Sequence, residues 1–335
     1  MGKRQLERGG HDMLGELINP YYLQVGSFIL INIILGLSIY VTLSSGQLSL
    51  GNAGFMGIGA YTSAILTIHY DVPIILGIIA GAVVAGIVGI LIGIPSLRLT
   101  GVYLAIATLG FGEVIRVFFV NWESVTNGAI GISGIPQIGR ELFRIFREAG
   151  FDPSTLGLRN NQFVYLLVLI ILLVINLFLI CFLIRQNKSR VGRAFASIKM
   201  DEKAAEAMGI NITYYKVLSF AQGAVLSGFA GALFAHVMGF ISPADFSYHR
   251  AVEILIFAIF GGSDVIWGAV FGATFMTIMP EALRFISEYR YIIYGLILIF
   301  MMAFRPQGLI DVSTMQWFKK SKKGAAHGTG NQKHI

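Results

Sequence analysis

Long apolar runs alternate with short polar connections along most of this chain. Predominantly apolar runs predict membrane segments at 22–43, 50–69, 74–95, 100–120, 162–184, 212–238, 250–262, 265–284 and 289–305. The run 162–184 alone holds 23 residues without a charge. At about 1.5 Å per residue it covers roughly 35 Å, and a hydrocarbon core is about 30 Å thick. The pattern predicts an all-α fold, a polytopic transmembrane helical bundle with about 8 to 10 membrane segments.

Composition supports this class. Only 13% of the 335 residues are charged and 55% are apolar, whereas a soluble domain has about 25% charged residues. The basic residues behind the net charge of +7 lie mostly in three polar stretches, at 1–20, 185–211 and 311–335. Because basic segments stay in the cytoplasm, all three are predicted inside, as an N-terminal tail, a loop and a basic C-terminal tail around a permease domain at 21–310. No stretch has the interleaved aromatic residues of a nucleic-acid site, so the expected surroundings are membrane lipid and no nucleic acid.

The predicted sides of the tail and the loop disagree with the number of predicted crossings between them. With both the N-terminal tail and the 185–211 loop inside, an even number of crossings must precede the loop, yet five segments do. The segment Ser44–Gly59 is the one least expected to cross the membrane as a regular helix, because it is polar and rich in glycine. Such a stretch is typical of a broken helix, which is tolerated at membrane depth only where it is buried in protein or lines a watery cavity. The alternative is an N-terminal tail outside. The stretch 121–161, with little net charge, is predicted to face outward.

Small residues repeat every four positions along two segments, as Gly77, Gly81, Ala85, Gly89 and Gly93, and as Ser219, Gly223, Ser227, Gly231 and Ala235. Such stripes let helix backbones approach closely in lipid, so they predict packing faces, with flexible gating seams as the alternative. Gly268 and Gly272 form a shorter stripe. Asp264 is expected to cap the helix that follows it and carries this stripe.

Few residues suggest chemistry. Cys181 is the only cysteine, so a disulfide within the chain is impossible, and no spacing of His, Asp and Glu suggests a metal. Charged residues at membrane depth are candidates for a functional site. The spacing of Glu113 and Arg116, three residues apart on one helix, favours a local ion pair over a substrate site. His236 is expected to be a hydrogen-bonded residue of the bundle, with a proton relay as the alternative.

The polar residues of the expected break have two possible roles. Their side chains either line a translocation path that offers hydrogen bonds to a zwitterion, or bind their own broken backbone. The candidates for the path are Ser44, Ser45, Gln47, Ser49, Asn52 and, from the ion pair, Glu113.

A short helix is predicted in the loop 185–211. Asp201 is a suitable N-cap, the next residues favour helix, and Gly209 is the expected left-handed terminator. A helix of about two turns is unstable alone in water, so it must dock on something. The partner is either a separate protein in the cytosol or the bundle itself.

Several stretches resemble the branched-chain amino-acid permease family of ATP-binding-cassette importers, in one order along roughly 25–310. They are Gly46–Tyr61, Leu99–Glu113, Thr126–Pro136, Ser189–Ile198 and Phe304–Leu309, the second containing a Leu-Gly-Phe-Gly-Glu segment that occurs in one of the two paired permease subunits. The loop also resembles the Glu-Ala-Ala…Gly loop by which such permeases contact their ATPases. The matching coupling residues are Arg193, Asp201, Glu202, Ala204, Ala205 and Gly209.

The resemblance implies a fold like that of type II importers, in the bacterial inner membrane. It implies a second homologous permease subunit, two ATPase subunits that carry ATP and Mg, and an external substrate-binding protein. Consistently, no Gly-x-x-x-x-Gly-Lys-Ser/Thr phosphate loop occurs here, so this chain is expected to bind no cofactor and not to be an enzyme. The alternatives are a permease for urea or short amides, a secondary transporter driven by an ion gradient, and a scaffold without transport.

Overall fold

The computed structural model describes residues 19–148, 159–283 and five isolated positions from 289 to 299. Twelve α-helices lie in the two continuous ranges, with short 3₁₀ helices at Gly128–Ile130 and Pro243–Phe246. They are α1 (Pro20–Ser44), α2 (Asn52–His69), α3 (Ile74–Ser96), α4 (Val102–Asn121), α5 (Glu123–Thr126), α6 (Ile138–Glu148), α7 (Asn160–Lys188), α8 (Arg190–Met200), α9 (Glu202–Ala207), α10 (Ile212–Met238), α11 (Tyr248–Gly261) and α12 (Ile266–Ala282). A two-stranded antiparallel ribbon joins β1 (Ile132–Ser133) to β2 (Phe240–Ile241).

The protein is an all-α helical bundle, as predicted. Within the described residues, five helices are long and apolar enough to cross a membrane, namely α1, α3, α4, α7 and α10. The predicted segments 50–69, 250–262 and 265–284 coincide with the shorter helices α2, α11 and α12. The predicted segment 289–305, both predicted tails and part of the outward loop lie outside the described residues, apart from the isolated positions.

Contacts along the helices give their directions. We call the end of the bundle that carries α8 and α9 the loop end, and the opposite end the far end. Asn176 Nδ2 of α7 donates to Leu30 O of α1 at 3.1 Å, and Asn187 Nδ2 donates to Tyr40 Oη at 2.6 Å. Both residue numbers rise together, so α1 and α7 are parallel and Pro20 lies at the far end with the start of α7.

This direction bears on the parity of the predicted crossings. The described chain enters α1 at the end of the bundle opposite the 185–211 loop. The side on which the predicted tail lies stays a prediction, with the N-terminal tail outside as its alternative. Helix α2 is regular from Asn52, and Leu50 N donates to Thr108 Oγ1 of α4 at 2.9 Å. The break at Ser44–Gly59 is therefore confined to 45–51, and the five segments counted before the loop are all helices.

The small-residue stripes are packing faces, as predicted. Helix α10 crosses α2 so closely that a Cβ on Gly231 would lie 1.9 Å from Met56 O. A Cβ on Gly59 would lie 2.0 Å from Gly228 O, and one on Gly81 of α3 would lie 2.5 Å from Gly59 O. Such contacts supply the van der Waals attraction that holds helices together in lipid. Helices α1, α2, α3 and α10 therefore form the tightly packed centre of the bundle.

The connection between α11 and α12 differs from its prediction. Asp264 does not cap α12, because Val265 occupies the N-cap position without a side-chain hydrogen bond. Instead, Asp264 Oδ1 forms an ion pair with Lys199 Nζ of α8 at 2.5 Å. A Cβ on Gly261 would lie 1.7 Å from Gly268 O, so α11 and α12 turn back on each other tightly. The turn between them is thus tied to the loop helices.

Candidate functional site

The loop helix α9 has the predicted ends. Asp201 accepts hydrogen bonds from Lys203 N at 2.9 Å and Ala204 N at 3.1 Å, which satisfies two of the open amides of the first turn. Gly209 has a φ of +81°, and Ile210 N donates to Ala205 O at 3.1 Å. This is the left-handed C-terminal motif that favours glycine. The geometry therefore holds a helix of six residues between two fixed ends.

One face of α9 docks on its own bundle. Ala205 is buried, and Glu202 Oε1 pairs with Lys216 Nζ of α10 at 2.5 Å. The Lys216 side chain is only 7% exposed, so it depends on this carboxylate for charge compensation. Glu202, predicted for coupling to an ATPase, thus points toward α10, and its contact with a partner stays a prediction.

Exposed residues surround α9 on its other sides. Met200, the last residue of α8, is 90% exposed, Met208, which follows α9, is 83% exposed, and Lys203 and Ala204 between them are also exposed. Methionine is an adaptable apolar side chain that is common at binding surfaces. The sequence pattern did not single out these two methionines, although both lie next to residues that cap the helix. We call Met200, Lys203, Ala204 and Met208 the α9 surface.

Helix α8 connects the α9 surface to the break after α1. It is amphipathic, with Phe195 and Ile198 buried, while Arg193 is exposed and donates from Nη1 to Lys188 O at 3.0 Å. A Cβ on Gly46 would lie 3.4 Å from Lys199 Cα, so the break contacts α8 directly. With the Lys199–Asp264 ion pair, α8 contacts both the 45–51 segment and the turn before α12.

The residues of the break are buried in a closed hydrogen-bond network. Ser45 Oγ lies 2.6 Å from Ser219 Oγ of α10, which donates to Gln47 Oε1 at 2.9 Å. Ser44 Oγ donates to Val41 O at 2.6 Å, and Ser49 Oγ accepts from the amide of Gly51 at 3.3 Å. Ser45, Gln47 and Ser49 are each at most 3% exposed. The network fits the alternative in which these side chains bind their own backbone and α10.

Asn52, the first residue of α2, forms a second network. Its Nδ2 donates to Ser38 Oγ of α1 at 2.8 Å and to Ser227 Oγ of α10 at 3.1 Å. Ser227 and Ser38 are also linked at 3.0 Å, and all three residues are at most 2% exposed. Asn52 therefore joins three central helices, and its predicted role in a path is not supported by exposure in the single chain.

The predicted Glu113–Arg116 ion pair is present on α4. Arg116 Nε donates to Glu113 Oε1 at 2.7 Å. The side chain of Glu113 is 36% exposed and that of Arg116 is 30% exposed. Glu113 Oε2 has no hydrogen-bond partner among the residues that the structure describes. A Cβ on Gly110, one turn earlier, would meet nothing within 4 Å. We call this uncovered side of α4, from Tyr103 to Phe118, the α4 face.

His236 is a hydrogen-bonded residue of the bundle, as expected. Its Nε2 lies 2.7 Å from Ser63 Oγ of α2, and its Nδ1 lies 2.7 Å from Pro136 O. Because a carbonyl only accepts, Nδ1 carries the proton and Nε2 accepts from the serine hydroxyl. His236 thereby joins two central helices to the segment between α5 and α6, with no solvent contact.

These features define a class. The bundle is a multi-pass membrane protein with a polar break inside its packed centre and a short capped helix offered at one end. Residues 21–302 match the family model described as branched-chain amino acid transport system / permease component. The chain therefore belongs to this family, whose members are permease subunits and not enzymes.

Three relatives illustrate the range of the similarity. The permease protein LivM of the high-affinity branched-chain amino acid transport system of Escherichia coli is 36% identical over 314 residues, 91% of this chain and 73% of LivM. The permease protein LivH of the same organism's system is 24% identical over 199 residues, 58% of this chain and 61% of LivH. The fructose import permease FrcC of Rhizobium meliloti is 26% identical over 263 residues, 76% of this chain and 66% of FrcC. No solved structure matches the chain.

Proposed function

We propose that this chain is a translocation subunit of an ATP-driven importer for branched-chain amino acids in the bacterial inner membrane. It acts beside a second, homologous permease, two ATPase subunits that bind ATP and Mg, and an external binding protein, in a fold of the type II importer kind. The observation that carries the proposal is the α9 surface, an exposed apolar pair that flanks a capped helix in a member of a permease family. The higher identity to LivM than to FrcC favours branched-chain amino acids over a sugar.

In this mechanism α9 is the contact with the ATPase. Asp201 and Gly209 fix the helix, and Met200 and Met208 enter an apolar depression of the partner. Because α8 contacts the break at 45–51 and, through Lys199, the turn before α12, a movement of α9 is passed to two connections of the bundle. Rigid elements in direct contact are what such coupling requires.

The α9 surface is tested by Met208→Asp and, separately, Met200→Asp in the assembled transporter. Each places a charge at the centre of the proposed apolar contact, so we expect less ATPase in affinity-purified complexes and less ATP-dependent uptake. Ile130→Asp is the matched control, because Ile130 is also apolar and 79% exposed but lies near the far end. Full ATPase retention by both methionine variants would refute the proposed contact.

The second permease is proposed to cover the α4 face. An ion pair about one-third exposed at membrane depth is costly against lipid, so charged residues there face protein or a watery cavity. The path would run along this face, with Glu113 as its lining charge. We expect Gly110→Trp to reduce the amount of second permease that copurifies. Val174→Trp, at a 58% exposed position of α7, is the control, and equal losses in both variants would contradict the assignment.

The proposed topology has nine crossings with the far end outside and the loop end in the cytoplasm, the last crossing being the predicted segment 289–305. In a Cys181→Ser background, Tyr22→Cys should react with a membrane-impermeant maleimide added to intact spheroplasts. Lys203→Cys should react only after the membrane is opened. The reverse labelling pattern would overturn this orientation.

An ion-gradient transporter is less consistent with the charges. No Asp or Glu is buried within residues 19–148 and 159–283, whereas proton- or sodium-coupled carriers rely on acidic groups inside their spans. Uptake of radiolabelled leucine should therefore stop when ATP is depleted and continue when an ionophore collapses the ion gradients. Loss of uptake with the ionophore at normal ATP levels would favour the secondary transporter. Competition by urea and by fructose tests the solute.

A further inference from the structure

A groove of about 740 Å³ opens at the far end of the bundle, between α1, α10, α11 and α12. Its volume lies within the range of about 300–1,000 Å³ that small-molecule sites have. Its walls are largely apolar, formed by Val25, Phe28, Phe234, Val252 and Ile256. Asn32 lies at its deep end, twelve residues into α1, which is about 18 Å from the start of the helix at about 1.5 Å per residue.

Two opposite charges face each other inside this groove. Arg250 Nη1 donates to Glu253 Oε2 at 2.6 Å, and the side chains are 17% and 39% exposed. Arg250 Nη2 donates to Asn32 Oδ1 at 2.6 Å, and Asn32 Nδ2 donates to Thr277 Oγ1 at 2.9 Å. The guanidinium is therefore held from its own helix and from α1, through an asparagine that is in turn bonded to α12.

The arginine retains hydrogen-bonding capacity. A guanidinium has five N–H donors, and the hydrogen bonds that Arg250 makes with the described residues use two of them. Its fixed, planar fork matches a carboxylate, which it can bind through two parallel hydrogen bonds. The other acids at the groove are already engaged, since Asp245 accepts from Ser242 N at 2.8 Å and Glu281 is bonded to the Tyr21 hydroxyl.

We propose that this groove is an outer binding site for a zwitterionic, branched-chain amino acid. Arg250 binds the α-carboxylate, Glu253 binds the α-ammonium, and the apolar wall contacts the side chain. Without solute the two residues compensate each other's charge, and with solute each exchanges part of that pairing for the opposite charge of the ligand. The inference rests on the proposed function and adds the site that receives the amino acid at the outer end.

A purely structural ion pair predicts something different. Charge compensation depends on the presence of both charges and not on their order along α11, so exchanging them keeps the pair. The contact with α1 can also be kept, because the Asn32 amide can turn and donate to a carboxylate at position 250. A zwitterion site depends on the order, because the carboxylate must reach the cation beside Asn32. The double variant R250E/E253R therefore distinguishes the two roles.

The test measures saturable binding of radiolabelled leucine to the purified pair of full-length permeases in nanodiscs, without the binding protein. We expect Arg250→Gln and Glu253→Gln each to raise the Kd at least about tenfold, the effect of losing one hydrogen bond to a charged group. The charge exchange should not restore binding. Leucine amide, which lacks the carboxylate, should compete poorly with leucine at the wild-type site. Arg140→Gln, an exposed arginine of α6, is the control and should bind normally.

Normal Kd values in both single variants, or restored binding in the charge exchange, would overturn the site. If the wild-type transporter moves leucine under ATP but its permease pair does not bind leucine saturably, the groove assignment fails and the proposed function stands. If the wild-type transporter moves no branched-chain amino acid at all, the proposed function fails, and the groove assignment fails with it.

Discussion

The crossing of α2 and α10 yields the sharpest stability prediction. At this crossing Gly231 contacts the backbone of Met56, and an added Cβ would lie 1.9 Å from Met56 O and 2.7 Å from the carbonyl carbon. These atoms belong to a helix backbone and not to a flexible side chain. The substitution Gly231→Ala therefore forces the two central helices apart.

The magnitude follows from two opposing effects. Replacing glycine by alanine inside a helix stabilises it by about 0.5–1 kcal/mol, because the unfolded chain loses freedom. Overpacking a close contact typically costs about 1–3 kcal/mol. With backbone as the obstacle, we take the upper part of that range and expect a net destabilisation of about 1–2 kcal/mol.

The assay is thermal unfolding of the detergent-purified chain, followed by tryptophan fluorescence and by size-exclusion recovery. Gly110→Ala is the matched control, because it is also a helical glycine but an added Cβ meets nothing within 4 Å. We expect its Tm to be unchanged or raised, whereas the Tm of Gly231→Ala falls. A Tm for Gly231→Ala equal to that of Gly110→Ala would refute the close crossing.

Three further variants test other contacts. Asn52→Leu removes two buried hydrogen bonds, and such bonds contribute on average about 0.6 kcal/mol, and at most about 1.7 kcal/mol, in a membrane protein. The Tm of this variant should therefore fall. An unchanged Tm together with lost uptake would instead support a role of Asn52 in the path. Glu202→Lys places like charges together at the buried Lys216, so amide exchange in α9 should accelerate, and the added change Lys216→Glu should slow it again. Asp201→Ala removes a helix cap worth about 1 kcal/mol, so α9 should exchange faster while the Tm of the whole protein stays unchanged; slow exchange would contradict the cap.

Much of the bundle could be predicted from local patterns. Apolar runs identify membrane helices because lipid cannot satisfy an exposed backbone. The four-residue glycine stripes identified the packing faces, since close backbone approach is the use that small residues have between helices in lipid. Asp201 and Gly209 also act over a few residues, so their roles as cap and terminator were predictable.

Contacts between distant segments were not predictable. Glu202 meets Lys216 only because the chain reverses at Gly209, and Asp264 meets Lys199 only because α8 lies under the turn before α12. Nothing in the residues next to Asp264 distinguishes an ion pair from a helix cap. The groove has the same origin, because Asn32 and Arg250 are 218 positions apart and become neighbours only in the folded bundle.

The sidedness of the chain shows how one packing contact decides what a charge count leaves open. The stretch 1–20 holds three basic residues and three acidic ones, whereas Arg185 and Lys188 at the end of α7 are followed by Arg190 and Arg193 at the start of α8. The positive-inside rule counts Lys and Arg near the ends of the spans, so the proposed orientation puts the denser cluster in the cytoplasm. Because α1 runs parallel to α7, the start of α1 faces outward in that orientation. The same proposed orientation puts the Arg250 groove on the outer side and the α9 surface on the cytoplasmic side.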